Sequence, residues 1–450
     1  MKVVAQADET VLKIIKNFKK AEPQNRMLHY CVETVVEDGI LLFNLLTREM
    51  VLLSQQEYDA RLESAYLKDH WFVVPENTNE RAYADFVRSF LDRQKKQDSA
   101  ITQYTIFPTT DCNARCFYCF ELGRSRIPMS QETAWKVSQY IKAHCGGKRV
   151  HLTWFGGEPL YNSEAIDTIC EGLQQEGVEY SSFVVSNGYL FDEAMVRKAV
   201  DAWKLKRVQI TLDGTEKVYN KIKAFIYREG NPYLTVLENI EKLLDASVQV
   251  VIRLNMDLSN AEDLMMLVEE LVQRFSGRDN IYIYAHHLFK NDQALAETYS
   301  KEEWIQRENA MIRLEEKIKE GKMAPRAGIS KHIRRNHCIA DSDRSVTILP
   351  DGKIGRCEHY SETEIAGHID REEMDQQVVN SWKERIQEIP ECATCFRYPE
   401  CFMLRKCPSQ SICFLQHRQR KQRAIQGQMV RHYEHWLNET VTETTEDEYC

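Results

Sequence analysis

The chain has 450 residues, 43% of them hydrophobic and 28% charged, with a formal net charge of −9. That length allows two or three domains, and the acidic balance excludes broad nucleic-acid binding, which needs a basic field. No run approaches the ~18 apolar residues of a membrane span and no signal-peptide core opens the chain, so the expected place is the cytoplasm, with no membrane partner.

Residues 1–100 read as a small mixed α+β domain. His29–Val36 and Ile40–Leu53 are strand-like around an Asp38-Gly39 hairpin turn. Helical patterns follow over Gln56–Tyr66 and Glu80–Arg93, before a polar linker at 94–98. No catalytic constellation stands here. A docking or dimerisation module and a sheet edge that captures an extended peptide by strand addition both suit the pattern.

From 101 to 330 strands alternate with helices. The strands are expected at Gln103–Pro108, Val150–Phe155, Phe183–Ser186, Val208–Leu212, Val248–Met256 and Ile281–His286. Helices are expected at Gln131–His144, Ser163–Gln175, Glu193–Trp203, Pro232–Leu244 and Ala261–Phe275, and again at Lys301–Lys319. Six such units predict an α/β fold with a parallel sheet and right-handed crossovers, a partial (β/α)6 TIM-like barrel. Functional groups then belong at the carboxyl ends of the strands.

Residues 331–437 show little periodic pattern, and metal is expected to organise them. A polar, basic helix at Gln416–Leu437 reads as a solvated face, and the acidic stretch 438–450 as a disordered tail. Fourteen cysteines are many for a reducing compartment, where metal or catalytic roles outweigh disulfides. Three of them occupy 112–119 and seven lie from Cys338 to Cys413. Cys31, Cys145 and Cys170 read as ordinary core or surface thiols, and Cys450 as an exposed one.

Cys112, Cys116 and Cys119 stand as C-x-x-x-C-x-x-C after the first barrel strand, with Tyr118 before the last. Three thiolates suit an iron–sulfur cluster with one open iron; zinc shares the ligand type but normally closes its site with four. The second strand runs into Gly156-Gly157-Glu158-Pro159. Together these motifs resemble the radical S-adenosylmethionine superfamily. The resemblance implies a [4Fe–4S] cluster on the three cysteines whose open iron chelates S-adenosylmethionine. It also implies cleavage of the C5′–S bond by one electron, giving a 5′-deoxyadenosyl radical that abstracts hydrogen. Gly156 and Gly157 would let backbone approach the ligand, with Glu158 organising the turn and Pro159 stiffening its exit. Tyr118 would pack near adenine, Ser186 and Asn187 would contact ribose, and Arg253 and Asn255 the carboxylate or ribose. Asp213-Gly214 reads equally as a capped turn or a substrate contact.

Cys338, Cys357, Cys392-x-x-Cys395, Cys401, Cys407 and Cys413 resemble the SPASM domain of radical enzymes that modify peptides; zinc-ribbon pairs are the alternative on spacing alone. The family wiring would put one auxiliary [4Fe–4S] cluster on Cys392, Cys395, Cys401 and Cys413, and another on Cys338, Cys357 and Cys407. Five residues, where the family has three, separate Cys401 from Cys407. No cysteine between Cys338 and Cys357 completes the second set, which leaves an open iron for a substrate thiolate or a ligand such as Glu358 or His359. In sulfatase-maturing relatives an acidic residue at the place of Glu358 serves as a base. Residues 1–100 resemble the recognition element of enzymes that modify ribosomally made peptides, holding a leader peptide as an added strand. The combined resemblance implies a maturase of a ribosomally synthesised precursor peptide, forming thioethers of cysteine to carbon. Carbon–carbon crosslinking, epimerisation and Cys/Ser oxidation are the alternatives within the family, and a non-catalytic metal scaffold the alternative outside it. A flavodoxin or ferredoxin-type reductant is the implied electron donor.

Overall fold

The computed structural model describes the chain except residues 17–23, 96–99, 228, 289–298, 326–327, 334–337, 360–363, 372, 402, 408–412, 414 and 447–450. The expected linker lies mostly outside the described residues, as does Cys450. The amino-terminal strands are β1 (Lys2–Ala5), β2 (Asn25–Met27), β3 (Cys31–Val36), β4 (Gly39–Asn44), β5 (Met50–Leu53) and β6 (Val73–Pro75). Four form an antiparallel sheet in the order β1-β5-β4-β3, while β2 pairs with β6. The expected strand at Ile40–Leu53 is two strands, because the Asn44 carboxamide accepts from Leu46 and Thr47 amides and turns the chain there. The helix expected at Gln56–Tyr66 is also interrupted: Ser54 caps Gln55–Asp59, and Ser64 starts a second short helix, Ala65–Asp69. A helix at Glu9–Lys16 was not read from the sequence.

The barrel strands are β7 (Gln103–Thr109), β8 (Val150–Gly156), β9 (Tyr180–Ser186), β10 (Leu205–Leu212), β11 (Gln249–Met256) and β12 (Ile281–His287). They lie side by side in chain order and all run parallel, as a partial (β/α)6 barrel requires. Helix starts are set by side chains that accept the orphan amides of the first turn: Ser130 from Thr133, Asp192 from Met195, Asn231 from Leu234. On β12, Ile281, Ile283 and Ala285 pack into the helical layer's core. The alternation therefore turns Tyr284 and His286 toward the lumen, as it turns Arg253 on β11.

The cysteine-rich region departs from expectation. It carries β13 (Ser345–Ile348), β14 (Lys353–Gly355) and β15 (Ile365–His368), which extend the barrel sheet to nine strands. β13 pairs parallel with β7, Thr347 opposite Thr105, so a backbone ladder and not metal alone orders this part. The final helix, Leu415–Glu446, runs into the stretch expected as a disordered tail. Nor is it a solvated face: Ile425, Met429, Tyr433, Trp436 and Leu437 join the core of the amino-terminal domain. Its Gln426 donates to the Glu33 carbonyl of the edge strand β3 at 2.8 Å. No helix among the described residues is long and apolar enough to cross a membrane.

One buried carboxylate ties this helix to the barrel. Glu308 has no solvent exposure; it meets His287 at the end of β12 at 3.1 Å, His417 at 3.4 Å and Arg420 at 2.7 Å. Burial opposes its charge, yet these donors hold its carboxyl well below the usual range. Glu308→Ala strands these donors, and an unfolding free energy lower by about 3–5 kcal/mol is expected in denaturant titration. Burial lowers His287, and takes His417 down to about 4. The unfolded chain then binds more protons below its histidine pKa of about 6.5. Stability should therefore fall as pH drops from 6.5 toward 5, and His417→Gln should flatten that slope.

Candidate functional site

The cysteine loop leaves β7 and folds back under its own backbone. Thr110 Oγ1 donates to the Ser125 carbonyl at 2.7 Å and receives the Ile127 amide at 2.7 Å, which closes the loop base. Within it the three thiols lie in electrostatic reach of one another. Burial pushes Cys112 up to about 12 and Cys119 up to about 11, and also raises Cys116, where the Lys223 ammonium pulls the other way. Such thiols are protonated at neutral pH until a metal displaces the protons. Among the described residues no three His, Cys, Asp or Glu side chains gather on one point as a single ion demands. Three thiols spread along one short loop suit the separate irons of a cubane, and leave one iron without a protein thiolate.

Glu158 organises the neighbouring strand ends. It is fully buried, and accepts from Ser186 Oγ at 2.9 Å, the Asn187 amide at 2.9 Å and the Leu160 amide at 3.2 Å. Burial pushes its carboxyl up to about 7 against those donors. Its own amide donates to the Asp111 carbonyl at 2.8 Å, joining β8 to the cysteine loop. The glycines pack against that loop. A Cβ on Gly157 would stand 2.1 Å from the Asp111 oxygen, and one on Gly156, whose φ is +115°, 2.4 Å from the Thr109 oxygen. Pro159 opens the short helical turn that follows, Pro159–Asn162.

Other expected contacts are partly committed within the protein. Ser186 Oγ serves Glu158, while Asn187 Nδ2 reaches Asn113 Oδ1 at 2.6 Å and the Cys112 sulfur at 3.8 Å. Tyr118 gives its hydroxyl to Asp213 at 2.7 Å and receives Lys223 at 3.1 Å and Asn255 at 3.4 Å. Its hydroxyl end thus belongs to a polar knot beneath the loop. Arg253 Nε donates to Asn255 Oδ1 at 2.9 Å. Asp213, expected as a turn cap or a substrate contact, is buried and pairs with Lys223 at 3.0 Å. Lys223 was missed, because nothing local distinguishes the last lysine of the helix Glu216–Lys223. Its carbonyl also receives the Arg115 amide, so one residue holds the loop by both backbone and side chain.

The carboxy-terminal cysteines lie within electrostatic reach of one another in groups. Cys338, Cys357 and Cys407 interact electrostatically with one another and with Glu358. Cys413 does so with Cys392, Cys395 and Cys401. Arg356, another residue missed, is buried and donates to the carbonyls of Ala340, Ser342 and Ser345, drawing the Cys338 turn against Cys357. Glu358 is half-buried, within electrostatic reach of Arg253, and its desolvation raises its carboxyl.

Two substitutions probe this geometry. Gly157→Ala should displace the cysteine loop and abolish its share of bound iron, measured as iron and sulfide per chain. Lys223→Met and Asp213→Asn each leave a buried charge or dipole without its partner, and each should cost about 3–5 kcal/mol in denaturant unfolding. The double variant should cost clearly less than the sum.

Residues 106–271 match the Radical SAM superfamily. A probable GTP 3′,8-cyclase of Methanococcus maripaludis (strain C6) is 28% identical over 151 residues, covering 33% of this chain and 47% of that relative. The sporulation killing factor maturation protein SkfB of Bacillus subtilis (strain 168) is 26% identical over 173 residues, 37% of this chain and 38% of that protein. The chain therefore spans about half or less of these curated relatives' lengths. Among solved structures, anSMEcpe with bound AdoMet and the Kp18Cys peptide aligns with TM-score 0.57 at 14% identity, over 75% of this chain and 99% of that one. SuiB of Streptococcus suis bound to precursor peptide SuiA aligns with TM-score 0.51 at 11% identity, over 84% and 95%. At such identities the likeness is one of fold. With its three-cysteine loop, its Gly-Gly-Glu-Pro turn and its six parallel strands, the chain carries a radical SAM domain of the Radical SAM superfamily.

Proposed function

We propose that this chain is a radical peptide maturase that removes hydrogen from a ribosomally made precursor peptide and installs intramolecular crosslinks, thioethers from cysteine sulfur to carbon. The observation that carries the reading is the second thiol set, Cys338, Cys357 and Cys407, three thiols grouped beside Glu358, itself in reach of the lumen residue Arg253. A [4Fe–4S] cluster with S-adenosylmethionine at the Cys112–Cys119 loop would supply a 5′-deoxyadenosyl radical, and clusters at the carboxy-terminal cysteines an acceptor for the surplus electron.

The residues divide the remaining work. Cys112, Cys116 and Cys119 hold the radical cluster, with Gly156, Gly157, Glu158, Pro159, Ser186 and Asn187 fixing the strand ends around it. Cys392, Cys395, Cys401 and Cys413 hold an outer auxiliary cluster. Glu358 takes the proton of the peptide thiol at a carboxylate oxygen and becomes neutral, with Arg253 favouring its ionised form beforehand. Phe107 and Phe155, with ring centroids 5.4 Å apart, give the lumen an apolar side that excludes water. The amino-terminal domain binds the leader as an extended strand added to its antiparallel sheet. A flavodoxin or ferredoxin-type protein delivers the electron, and the reaction takes place in the cytoplasm.

The test is anaerobic incubation of the reconstituted, reduced enzyme with S-adenosylmethionine and a cysteine-containing precursor. The expected product has lost two hydrogens per link, resists thiol alkylation, and is matched by 5′-deoxyadenosine. Replacing the precursor's cysteines by alanine should abolish it. Loss of two hydrogens that survives this replacement would instead establish carbon–carbon crosslinking, and a protein that forms no 5′-deoxyadenosine would sink the enzyme reading.

A further inference from the structure

The two cysteine-bearing segments meet at Phe120 and His359. Phe120 follows Cys119 directly and His359 lies two residues past Cys357. Their rings meet edge to face with centroids 4.8 Å apart. Beside them Arg124 donates Nη2 to the His359 backbone carbonyl at 2.6 Å. The guanidinium lies 5.5 Å from the Phe120 ring centroid, and the Glu121 carboxylate stands 3.8 Å away at its other nitrogen. Phe120 in turn stacks on Phe155 of β8 at 5.7 Å, so the contact is backed by the barrel wall.

The segment so gripped has no regular structure of its own. β14 ends at Gly355, and Glu358 and His359 lie in a turn. Arg356 fastens its near end through three carbonyls, and Arg124 with Phe120 fastens the far end. Glu358 is suspended between those two anchors. A largely buried arginine bonded to a carbonyl is a strong, charge-assisted contact, and a ring against a ring fixes the approach.

We propose that Arg124 and Phe120 are positioning residues, a clamp by which the radical-generating loop holds the 357–359 turn and keeps Glu358 toward Arg253. Its consequence for the reaction rests on the peptide-maturase reading above. Clamped, a radical made at the loop finds the peptide and Glu358 in register. Unclamped, the turn drifts, and S-adenosylmethionine is consumed without a link being made.

The experiment compares the full-length, reconstituted wild type with Arg124→Met, Arg124→Lys and Phe120→Leu. Amide hydrogen exchange at Glu358 and His359 reads the clamp directly. Exchange there should rise at least tenfold in Arg124→Met, with Arg124→Lys recovering part of the protection because it still donates to the carbonyl. Phe120→Leu tests the ring contact should Arg124→Met misfold. In the same preparations, crosslinks formed per 5′-deoxyadenosine should fall about tenfold, the weight of one charge-assisted bond. Wild-type exchange at both residues in Arg124→Met and Phe120→Leu alike overturns the clamp. Faster exchange with an unchanged ratio overturns its role in coupling. A wild type that makes no crosslink refutes the maturase reading instead, and the exchange measurement still decides the clamp.

Discussion

Burying an ionisable carboxylate is costly unless hydrogen bonds replace its water, and the site depends on one such group. Glu158 receives Ser186, Asn187 and Leu160 while its own amide holds Asp111, so the ends of β8 and β9 and the base of the cysteine loop are joined through one residue. Asn187, held by that bond at its amide, can then extend its side chain to Asn113 and Cys112. The two glycines before Glu158 follow from the same constraint: the strand must come so near Thr109 and Asp111 that no side chain fits. What resembles a ligand-binding motif in the sequence is first a device for bringing two backbones together.

The loops at the strand ends lack ladders and are fixed by buried cations instead. Lys223 grips Asp213 and Tyr118, Arg356 spans three carbonyls, and Arg307 pairs with Asp257 at 3.0 Å while reaching the Leu288 carbonyl. A single bond would not repay the desolvation of such a cation; several acceptors at once do. Loops tied this way have few alternative arrangements.

The sequence made the barrel legible because its strands are long, apolar on one face and separated by helices with clear caps. The cysteine sets were legible because thiol spacing is a chemical signature. The misses in the carboxy-terminal half and at the polar knot have a common cause, since each depends on a partner remote in the chain. β13 to β15 are three or four residues long, too short for alternation to register, and exist because β7 offers a free edge. The stripe Ile425, Met429, Tyr433 and Leu437 repeats at helical spacing, but the basic residues between them mask it in any average of composition. Lys223 and Asp213 look like surface charges until folding places them together.

These misses also change how the carboxy-terminal region relates to the rest. β13 and β14 belong to the barrel sheet, so Cys338 and Cys357 are carried by the same ladder that positions the lumen. The outer cysteines have a different allegiance. Between Cys395 and Cys401, Tyr398 packs under Arg81, and its carbonyl takes Arg88 at 3.3 Å; Glu400 pairs with Arg48 at 2.8 Å. All three arginines come from the amino-terminal domain, and the helix that follows Cys413 buries its stripe in that domain's core. One thiol set is therefore built into the barrel and the other into the amino-terminal domain, with Glu308 joining the two through His287 and His417. A displacement of the amino-terminal domain would move the outer thiols with it and leave Cys338 and Cys357 in register with the lumen.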